Sequence, residues 1–459
     1  MIRGLNILNT SPHHHSIKHT MSRCPTCLAE INAEVFERDG CVFMAKTCSQ
    51  HGPFETLIAR DPRFYHLSIG AGGCGDGCGC HAETSKNPAE NRDPFDVLSS
   101  CLALIEIVDS CNLTCPTCYA SSPFGVDDDI DCITFDAFRE RVSGVLDRKG
   151  SIDILQLTGG EPTIHPQFFD LLDWALAEPR IGYVLINTNI VRIAVDEAFR
   201  KRLGESRKRF GKFELYVQFD GPQQEGQKEL RGADLREIRR KGIDLAGELG
   251  VPSTLAMVVS PTTRKYLGET LRFGLSRRHC RGITFQPMFT SGRVPQVESG
   301  TLPIAMTSPE VLSVGDVILD LVEQSEGLLA VEDFTPLPCG DPNCHTISYL
   351  LRTDDGATGL SRLVDLESLK GFLGDRVDYR IEDLAKCGCE NEPLGQLLQQ
   401  LEIGPDQPFR IFIKPFMDAW TFDQDRIDRC CTHVIRPDGK LDSFCRYYLS
   451  GGAVGLGLK

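Results

Sequence analysis

The sequence has no long apolar run: no stretch of about 18 hydrophobic residues occurs, so we expect no membrane-spanning helix. The apolar h-region of a secretory signal is missing near the N-terminus as well, which predicts a cytoplasmic protein. Positive charge is scarce: the chain has 49 Lys and Arg and 64 Asp and Glu, which gives a formal net charge of −15. This acidic balance argues against nucleic acid as a partner.

Cysteine, by contrast, is abundant, with 20 in 459 residues. Without an export signal, we favour thiolates bound to metals in a reducing cytosol over disulfides. The chain is too long for one compact core, so two or three domains are expected. We predict a cysteine-rich ribbon and cluster loop over residues 21–95, a core over 96–325 and a C-terminal module over 326–459.

The central cysteines lie in the stretch Asp109–Tyr119, where Cys111, Cys115 and Cys118 follow a C-x3-C-x2-C spacing. Three thiolates this close can hold three irons of a [4Fe–4S] cube and leave the fourth iron open to chemistry. A zinc knuckle or a closed ferredoxin site is the alternative, but zinc sites favour paired C-x2-C knuckles. The apolar run 102–108 predicts a buried strand directly before this loop.

Strand-like runs alternate with helix-like segments across the core, the pattern of a parallel α/β sheet or barrel. We predict six β/α units, which form a partial TIM-like barrel. Polar residues and a glycine pair follow the strands at their C-terminal ends, where the active site of a barrel lies. These residues are Gly159, Gly160, Glu161, Asn187, Asn189, Gln218 and Asp220.

The cysteine motif and the Gly-Gly-Glu turn together resemble the radical S-adenosylmethionine (SAM) superfamily. The resemblance implies that the open iron chelates SAM, and that an electron from the cluster splits SAM into methionine and a 5'-deoxyadenosyl radical. It assigns Gly159, Gly160 and Glu161 to the SAM amino group. It further implies SAM contacts from Asn187 to Asn189, Gln218, Asp220 and the backbone near Ile283.

A first cysteine group precedes the core. The knuckle Cys24-x2-Cys27 is followed by Cys41 and Cys48, across a hairpin predicted around residues 39–40. Four thiolates on two turns predict a tetrahedral site for zinc or a single rubredoxin-like iron, with His51 as an alternative to Cys48. We expect residues 1–20, which include a His run, to be disordered and Met21 to be the true start.

A second group occupies a glycine-rich loop, for which we predict an iron–sulfur cluster rather than a flexible loop with incidental thiols. Its predicted ligands are Cys74, Cys78, Cys80 and, as the fourth, Cys101.

The C-terminal module holds further cysteines, for which we predict an auxiliary [4Fe–4S] cluster, with zinc as the alternative. The predicted ligands are Cys339, Cys344, Cys445 and one of Cys430 or Cys431. The C-x-C pair at Cys387 and Cys389 receives no assignment.

The order of these features resembles the radical SAM subgroup that includes the archaeal tetraether lipid synthase and its bacterial relatives. The resemblance implies a rubredoxin-like site and two auxiliary clusters. Coupling of lipid tails by C–C bonds, at the membrane surface, is therefore our lead hypothesis, with ferredoxin or flavodoxin as the electron donor. The alternatives are radical methylation or another C–H modification of a pterin-like small molecule, and a non-catalytic iron–sulfur redox or sensor protein.

Overall fold

The computed structural model describes residues 14–66, 100–294, 311–336, 340–354, 356–362, 407–452 and 457. Within these ranges no helix has both the length and the apolar character needed to cross a membrane. Six predicted site or unassigned cysteines lie outside the described residues: Cys74, Cys78, Cys80, Cys339, Cys387 and Cys389.

The N-terminal part is an antiparallel sheet in sequential order, followed by a short helix. Its elements are β1 (His15–Arg23), β2 (Glu30–Arg38), β3 (Cys41–Cys48), β4 (Gly52–Ala59) and α1 (Pro62–His66). The predicted hairpin between β2 and β3 is confirmed, because Asp39 and Gly40 both have the positive φ that a tight two-residue turn requires.

The expected disorder of the first 20 residues is wrong from residue 15 onwards, since β1 begins there and pairs with β2 along its length. The pairing is reinforced beside the strand, where the His14 ring stacks on Phe36 at 4.3 Å. His14 Nε2 also lies 3.2 Å from the carboxylate of Glu34.

The core is a parallel sheet, which confirms the predicted α/β class. Its strands are β5 (Leu102–Val108), β6 (Ile152–Gly159), β7 (Ile181–Thr188), β8 (Phe213–Gln218), β9 (Ser253–Val259) and β10 (Cys280–Pro287). The helices along it are α2 (Phe135–Lys149), α3 (Phe168–Ala177), α4 (Val191–Val195), α5 (Glu197–Phe210), α6 (Gln227–Arg231), α7 (Arg236–Glu248), α8 (Leu267–Leu275) and α9 (Val314–Gln324).

Helix α2 shows how the sequence defines such an element. Thr134 caps its start by accepting a hydrogen bond from Ala137 N, which contributes about 1 kcal/mol. Gly150 ends it in a conformation with positive φ. Between the caps, apolar residues at helical spacing, including Phe138 and Val142, are buried against the sheet.

The C-terminal residues extend the same sheet at both edges. Strand β14 (Pro408–Ile413) pairs in parallel with β10, and β15 (Thr432–Ile435) pairs in parallel with β5. No pairing joins β14 to β15 in the described part of the chain, so the eight parallel strands form an open barrel. The remaining elements are β11 (Thr335–Pro336), β12 (Thr346–Thr353), β13 (Gly356–Gly359), β16 (Leu441–Ser443), α10 (Gln424–Asp428) and α11 (Phe444–Leu449).

Side chains alternate across this sheet. On β6, Leu155 and Leu157 pack outward into the hydrophobic core beneath the helices, whereas Gln156 and Thr158 face a cavity inside the barrel. Strand β8 repeats the pattern with Leu215 and Val217 outward and Tyr216 inward. The barrel therefore has an apolar shell outside, and inside it a cavity where polar side chains stand among apolar and aromatic ones.

Candidate active site

The predicted cysteine loop follows the C-terminal end of β5, and backbone hydrogen bonds hold both its ends. Cys111 N donates to the carbonyl of Pro123 at 2.8 Å. Cys118 N donates to the carbonyl of Arg293 at 2.9 Å, and Arg293 N donates back at 2.8 Å. With Cys115, these two cysteines line the mouth of the barrel cavity, which measures about 280 Å³.

The spacing of the three thiols fits a cluster better than a single ion. A tetrahedral zinc site, with Zn–S bonds of about 2.3 Å, needs its sulfur atoms within about 4.6 Å of one another. Among the described residues, Cys111, Cys115 and Cys118 form no group within 4.8 Å. Burial, with Glu161 and the neighbouring thiols, raises the pKa of the Cys111 thiol to about 12. The thiolate form at this position therefore requires a bound cation.

The Gly159-Gly160 pair lets the backbone after β6 approach the base of the cysteine loop. Gly160 N donates to Val108 O at 2.8 Å, and Glu161 N donates to Ser110 O at 3.1 Å. A Cβ on Gly159 would lie 1.9 Å from Val108 O, and one on Gly160 would lie 2.0 Å from Ser110 O. Only glycine fits, so this turn fixes the loop as well as facing the cavity.

Glu161 is buried at the cavity wall with only part of its carboxylate occupied. Its Oε1 accepts from Thr163 N, Thr163 Oγ1 and Thr188 Oγ1, at 3.2, 2.6 and 2.7 Å. Its Oε2 accepts from Asn189 N at 2.6 Å. Burial raises the pKa of this carboxyl, against these hydrogen bonds, which lower it. Oε2 thus keeps lone-pair capacity for a ligand.

The predicted asparagines after β7 also reach the cavity. Asn189 Nδ2 donates to Asn112 Oδ1 at 2.7 Å and lies 4.0 Å from Cys111 Sγ, which joins it to the cysteine loop. Asn187 Nδ2 donates to Thr158 Oγ1 at 2.9 Å, while Gln156 donates to Asn187 Oδ1. Both side chains line the cavity beside Glu161.

Gln218 and Asp220, the two SAM contacts predicted around β8, lie in different environments. Gln218 lines the cavity, whereas the Asp220 carboxylate is buried and receives Arg231 at 2.6 and 3.0 Å and Arg239 at 3.2 Å. Burial alone would raise the pKa of Asp220, but the two guanidinium groups lower it to about 2. Asp220 therefore positions Arg231, which lines the cavity and also interacts with Cys115.

Sequence reasoning missed Arg231 and Arg239. A signal was present for the second: Arg239 falls among the buried positions of α7, and a fully buried arginine needs an acidic partner. Ile283, predicted near the adenine of SAM, has its side chain in the hydrophobic core. Thr284 and Gln286 on the same strand face the cavity.

The C-terminal cysteines lie near one another, and Cys431 among them lines the barrel cavity. Met417 N donates to Cys445 Sγ at 3.4 Å, and Arg426 Nε donates to Cys344 Sγ at 3.3 Å. Burial raises the pKa of Cys430 to about 12, with further contributions from Cys431 and Cys445. The auxiliary cluster stays a prediction, since Cys339 lies outside the described residues.

Cys101 and Cys431 line the same cavity as the Cys111 loop. The two lie close in the structure, because Leu102 N donates to Cys431 O at 3.2 Å. Cys101 therefore sits beside the C-terminal cysteines, and its predicted partners in the glycine-rich loop lie outside the described residues.

The ribbon site differs from its predicted ligand set. Cys24, Cys27, Cys48 and His51 place one ligand atom each within 4.8 Å of one another. Cys41 was wrong as a ligand, because it begins the strand that Cys48 ends and its Sγ donates to Arg60 O at 3.5 Å. Seven residues of strand span roughly 23 Å, so the two cannot share one ion.

The ribbon geometry suits zinc. Three cysteines and one histidine form a common structural zinc set, whereas a rubredoxin-like iron uses four thiolates. The backbone amide of Gln50 and the ring of His51 lower the pKa of Cys48 to about 6, against its burial. A thiolate is the form that binds the metal.

We expect Cys27→Ser to abolish stoichiometric zinc binding and to lower the melting temperature, because the ion loses one of four ligands. Cys41→Ser is the matched control from the same ribbon and should retain full zinc content and stability. Metal analysis and thermal unfolding of the purified proteins measure both quantities. Equal zinc loss in the two variants would restore Cys41 to the site.

An open parallel barrel with three cluster-spaced cysteines and a Gly-Gly-Glu turn at its mouth defines the class as a SAM-dependent iron–sulfur enzyme. Residues 105–274 match the model of the radical SAM superfamily, so the chain carries a radical SAM domain over that range. Residues 16–60 match a second model, described as the HMPTM N-terminal zinc ribbon domain. The predicted enzyme is confirmed over the non-catalytic alternative.

Two curated relatives carry enzyme names. The chain is 26% identical to 7,8-dihydro-6-hydroxymethylpterin dimethyltransferase of Methanocaldococcus jannaschii, over 94% of this chain and 93% of the relative. It is 24% identical to GTP 3',8-cyclase of Rhodopirellula baltica, over 64% of this chain and 80% of the relative. Among solved structures, Streptococcus suis SuiB bound to S-adenosylmethionine aligns with a TM-score of 0.34 and 17% identity, over 43% of each chain.

Proposed function

We propose that this radical SAM enzyme methylates a small pterin-type heterocycle at a C–H bond. The Methanocaldococcus jannaschii relative supports the proposal, because it is named a pterin dimethyltransferase and its similarity to this chain spans nearly the whole of both. Residues 16–60 add support, because they match a zinc ribbon model that is described as the N-terminal domain of HMPTM. Lipid-tail coupling, the lead hypothesis from the sequence, finds no support among these relatives.

The observation that carries the proposal is a set of polar side chains inside the barrel, among apolar and aromatic ones. Gln156, Asn187, Tyr216, Thr284 and Gln286 all face the cavity from different strands. Gln156 pairs with Asn187 and Gln286 pairs with Tyr216, but these groups keep hydrogen-bonding capacity that a saturated lipid tail cannot use. A heterocycle edged with amide and amine groups satisfies them instead.

The barrel floor limits how far a ligand extends. Glu214 accepts from Thr254 Oγ1 at 2.6 Å and from Arg410 at 3.3 Å, so a charged network closes the cavity there. This closed, charged end suits a compact substrate and opposes a long apolar one.

Several residues have stated roles toward SAM in this proposal. Oε2 of Glu161 accepts the ammonium group, and Asn189 keeps Asn112 and the cysteine loop in place beside it. Cys111, Cys115 and Cys118 would hold a [4Fe–4S] cluster, which would supply the electron for reductive cleavage of SAM. Gln218 and Arg231 offer further donors at the cavity wall.

Aromatic side chains shield the mouth of the cavity. The Tyr119 ring lies 5.3 Å from Phe444 and 4.7 Å from Tyr448, and it stacks on Phe289 at 6.4 Å. This cluster lies directly after Cys118 and excludes water from the reacting groups. We further propose an auxiliary cluster on the C-terminal cysteines, zinc in the ribbon, and a ferredoxin or flavodoxin as reductant.

The test is an anaerobic assay with reconstituted protein, a reductant, 7,8-dihydro-6-hydroxymethylpterin and excess SAM, which serves both as the radical source and as the methyl donor. We expect 5'-deoxyadenosine and a pterin product heavier by one CH2 unit per methyl group, both measured by mass spectrometry. Omitting the reductant should suppress both. If the pterin returns unmodified while anaerobic cells that express the gene accumulate coupled lipid tails, lipid coupling replaces this proposal.

A further inference from the structure

Lys414 follows the end of β14 and faces the barrel cavity, across the open edge from β15. Its backbone N donates to Phe285 O at 2.9 Å, which fixes the start of the side chain beside β10. The side chain lines the cavity together with His345 and Gln286. The wall formed by Lys414 and His345 thus lies beside the C-terminal cysteines, on the cavity that the Cys111 loop also lines.

The ammonium of Lys414 has donors to spare. In the described ranges it donates only to Thr432 Oγ1, at the long distance of 3.4 Å, and lies 5.1 Å from the centre of the Phe416 ring. No carboxylate there lies within 4.0 Å of it, although an ammonium carries three donors. Burial lowers the pKa of Lys414, which the neighbouring thiols partly oppose.

His345 adds a second unsatisfied group to the same wall. Its Nδ1 is buried and has no hydrogen-bond partner among the described residues. The rest of the ring interacts with Cys431. Lys414 and His345 line one cavity and both lack full sets of hydrogen-bond partners among the described residues, which favours a ligand with oxygen or nitrogen atoms at that position.

The aromatic residues beside this wall define the shape of that ligand. Phe412, Phe416 and Phe444 line the cavity next to Lys414, and the last two rings lie 4.3 Å apart. Aromatic faces favour a flat, conjugated ring, and an ammonium favours a carbonyl oxygen at its edge.

We infer that Lys414 and His345 form the substrate-recognition wall, with Lys414 donating to the ring oxo group of the heterocycle while His345 contacts an adjacent ring atom. The inference rests on the proposed function and adds the residues that select the substrate. It orients the ring between the site of SAM cleavage and the C-terminal cysteines.

Lys414 also lies near the C-terminal thiols, so it can act by offsetting the charge of a cluster there. The two roles differ in what they change. A recognition residue changes the dissociation constant of the pterin, whereas a charge-offsetting residue changes the reduction potential of the cluster and leaves that constant alone.

The experiment compares Lys414→Met, Lys414→Arg and the control Lys440→Met, an exposed lysine of the same segment. Equilibrium dialysis with SAM and 7,8-dihydro-6-hydroxymethylpterin, without reductant, measures binding in the absence of turnover. We expect Lys414→Met to weaken pterin binding about tenfold to a hundredfold, the value of one hydrogen bond to a charged group. Lys414→Arg should recover most of the affinity, and Lys440→Met should match the wild type.

Iron content and thermal unfolding confirm that each variant is folded and loaded. If the wild type binds the pterin and Lys414→Met binds it equally well, the inference fails and the proposed function stands. A shifted potential of the C-terminal cluster with unchanged pterin affinity assigns Lys414 to the cluster and overturns the inference as well. If the wild type does not bind the pterin, the proposed function and the inference both fail.

Discussion

Replacing Cys111 with serine should reduce 5'-deoxyadenosine formation to the level of a protein-free control. The loop brings its three thiols to one cavity, where each is the predicted ligand of one iron. A serine hydroxyl is a poor ligand for the irons of a thiolate-bound cluster. Anaerobic reconstitution, iron and sulfide analysis and a SAM cleavage assay measure the effect.

Cys132→Ser is the matched control, because Cys132 lies close by in sequence but packs against the hydrophobic core. It should retain full iron content for this cluster and full SAM cleavage. Residual cleavage by Cys111→Ser at a rate near wild type would show that another residue holds the cluster.

Gly160→Ala should damage the same cluster without touching a ligand. The added methyl group would lie 2.0 Å from Ser110 O, a backbone atom that can yield only if the root of the cysteine loop moves. Overpacking of this kind typically costs about 1–3 kcal/mol of stability, and here it also displaces the loop. We expect low iron loading, loss of SAM cleavage and a lower melting temperature.

Gly144→Ala supplies the comparison, since Gly144 lies inside helix α2 and the new methyl would meet only the Arg148 side chain, at 3.5 Å. That change should be neutral or add about 0.5–1 kcal/mol, as alanine favours a helix interior over glycine. If Gly160→Ala matches Gly144→Ala in iron loading, SAM cleavage and melting temperature, the Gly159-Gly160 turn does not support the cysteine loop.

The strands and turns that could be predicted are those marked by a pattern of neighbouring residues in the sequence. Apolar runs followed by Cys111, Gly159 or Asn187 mark strand ends, and parallel strands bring those ends together. The two edge strands could not be found this way. The pairing of β15 with β5 joins residues such as Thr432 and Leu102. These residues are far apart in the sequence, so no short-range pattern predicts their contact.

The errors at the metal and charge sites have the same origin. Spacing predicts Cys41 as a ligand and offers His51 only in place of Cys48, whereas the extended path of β3 carries Cys41 away from Cys48. Likewise, Asp220 follows a strand as a ligand residue does, but Arg231 and Arg239 arrive from two helices to occupy its carboxylate.

The pairing of β15 with β5 also sets the order in which the enzyme can mature. During synthesis, β5 and its cysteine loop emerge early, yet one edge of β5 stays uncovered until residues 432–434 leave the ribosome. An uncovered strand edge invites pairing with other chains, and a loop without its final wall exposes thiols to oxygen. Late pairing of β15 with β5 therefore covers this strand edge only after most of the barrel has been made.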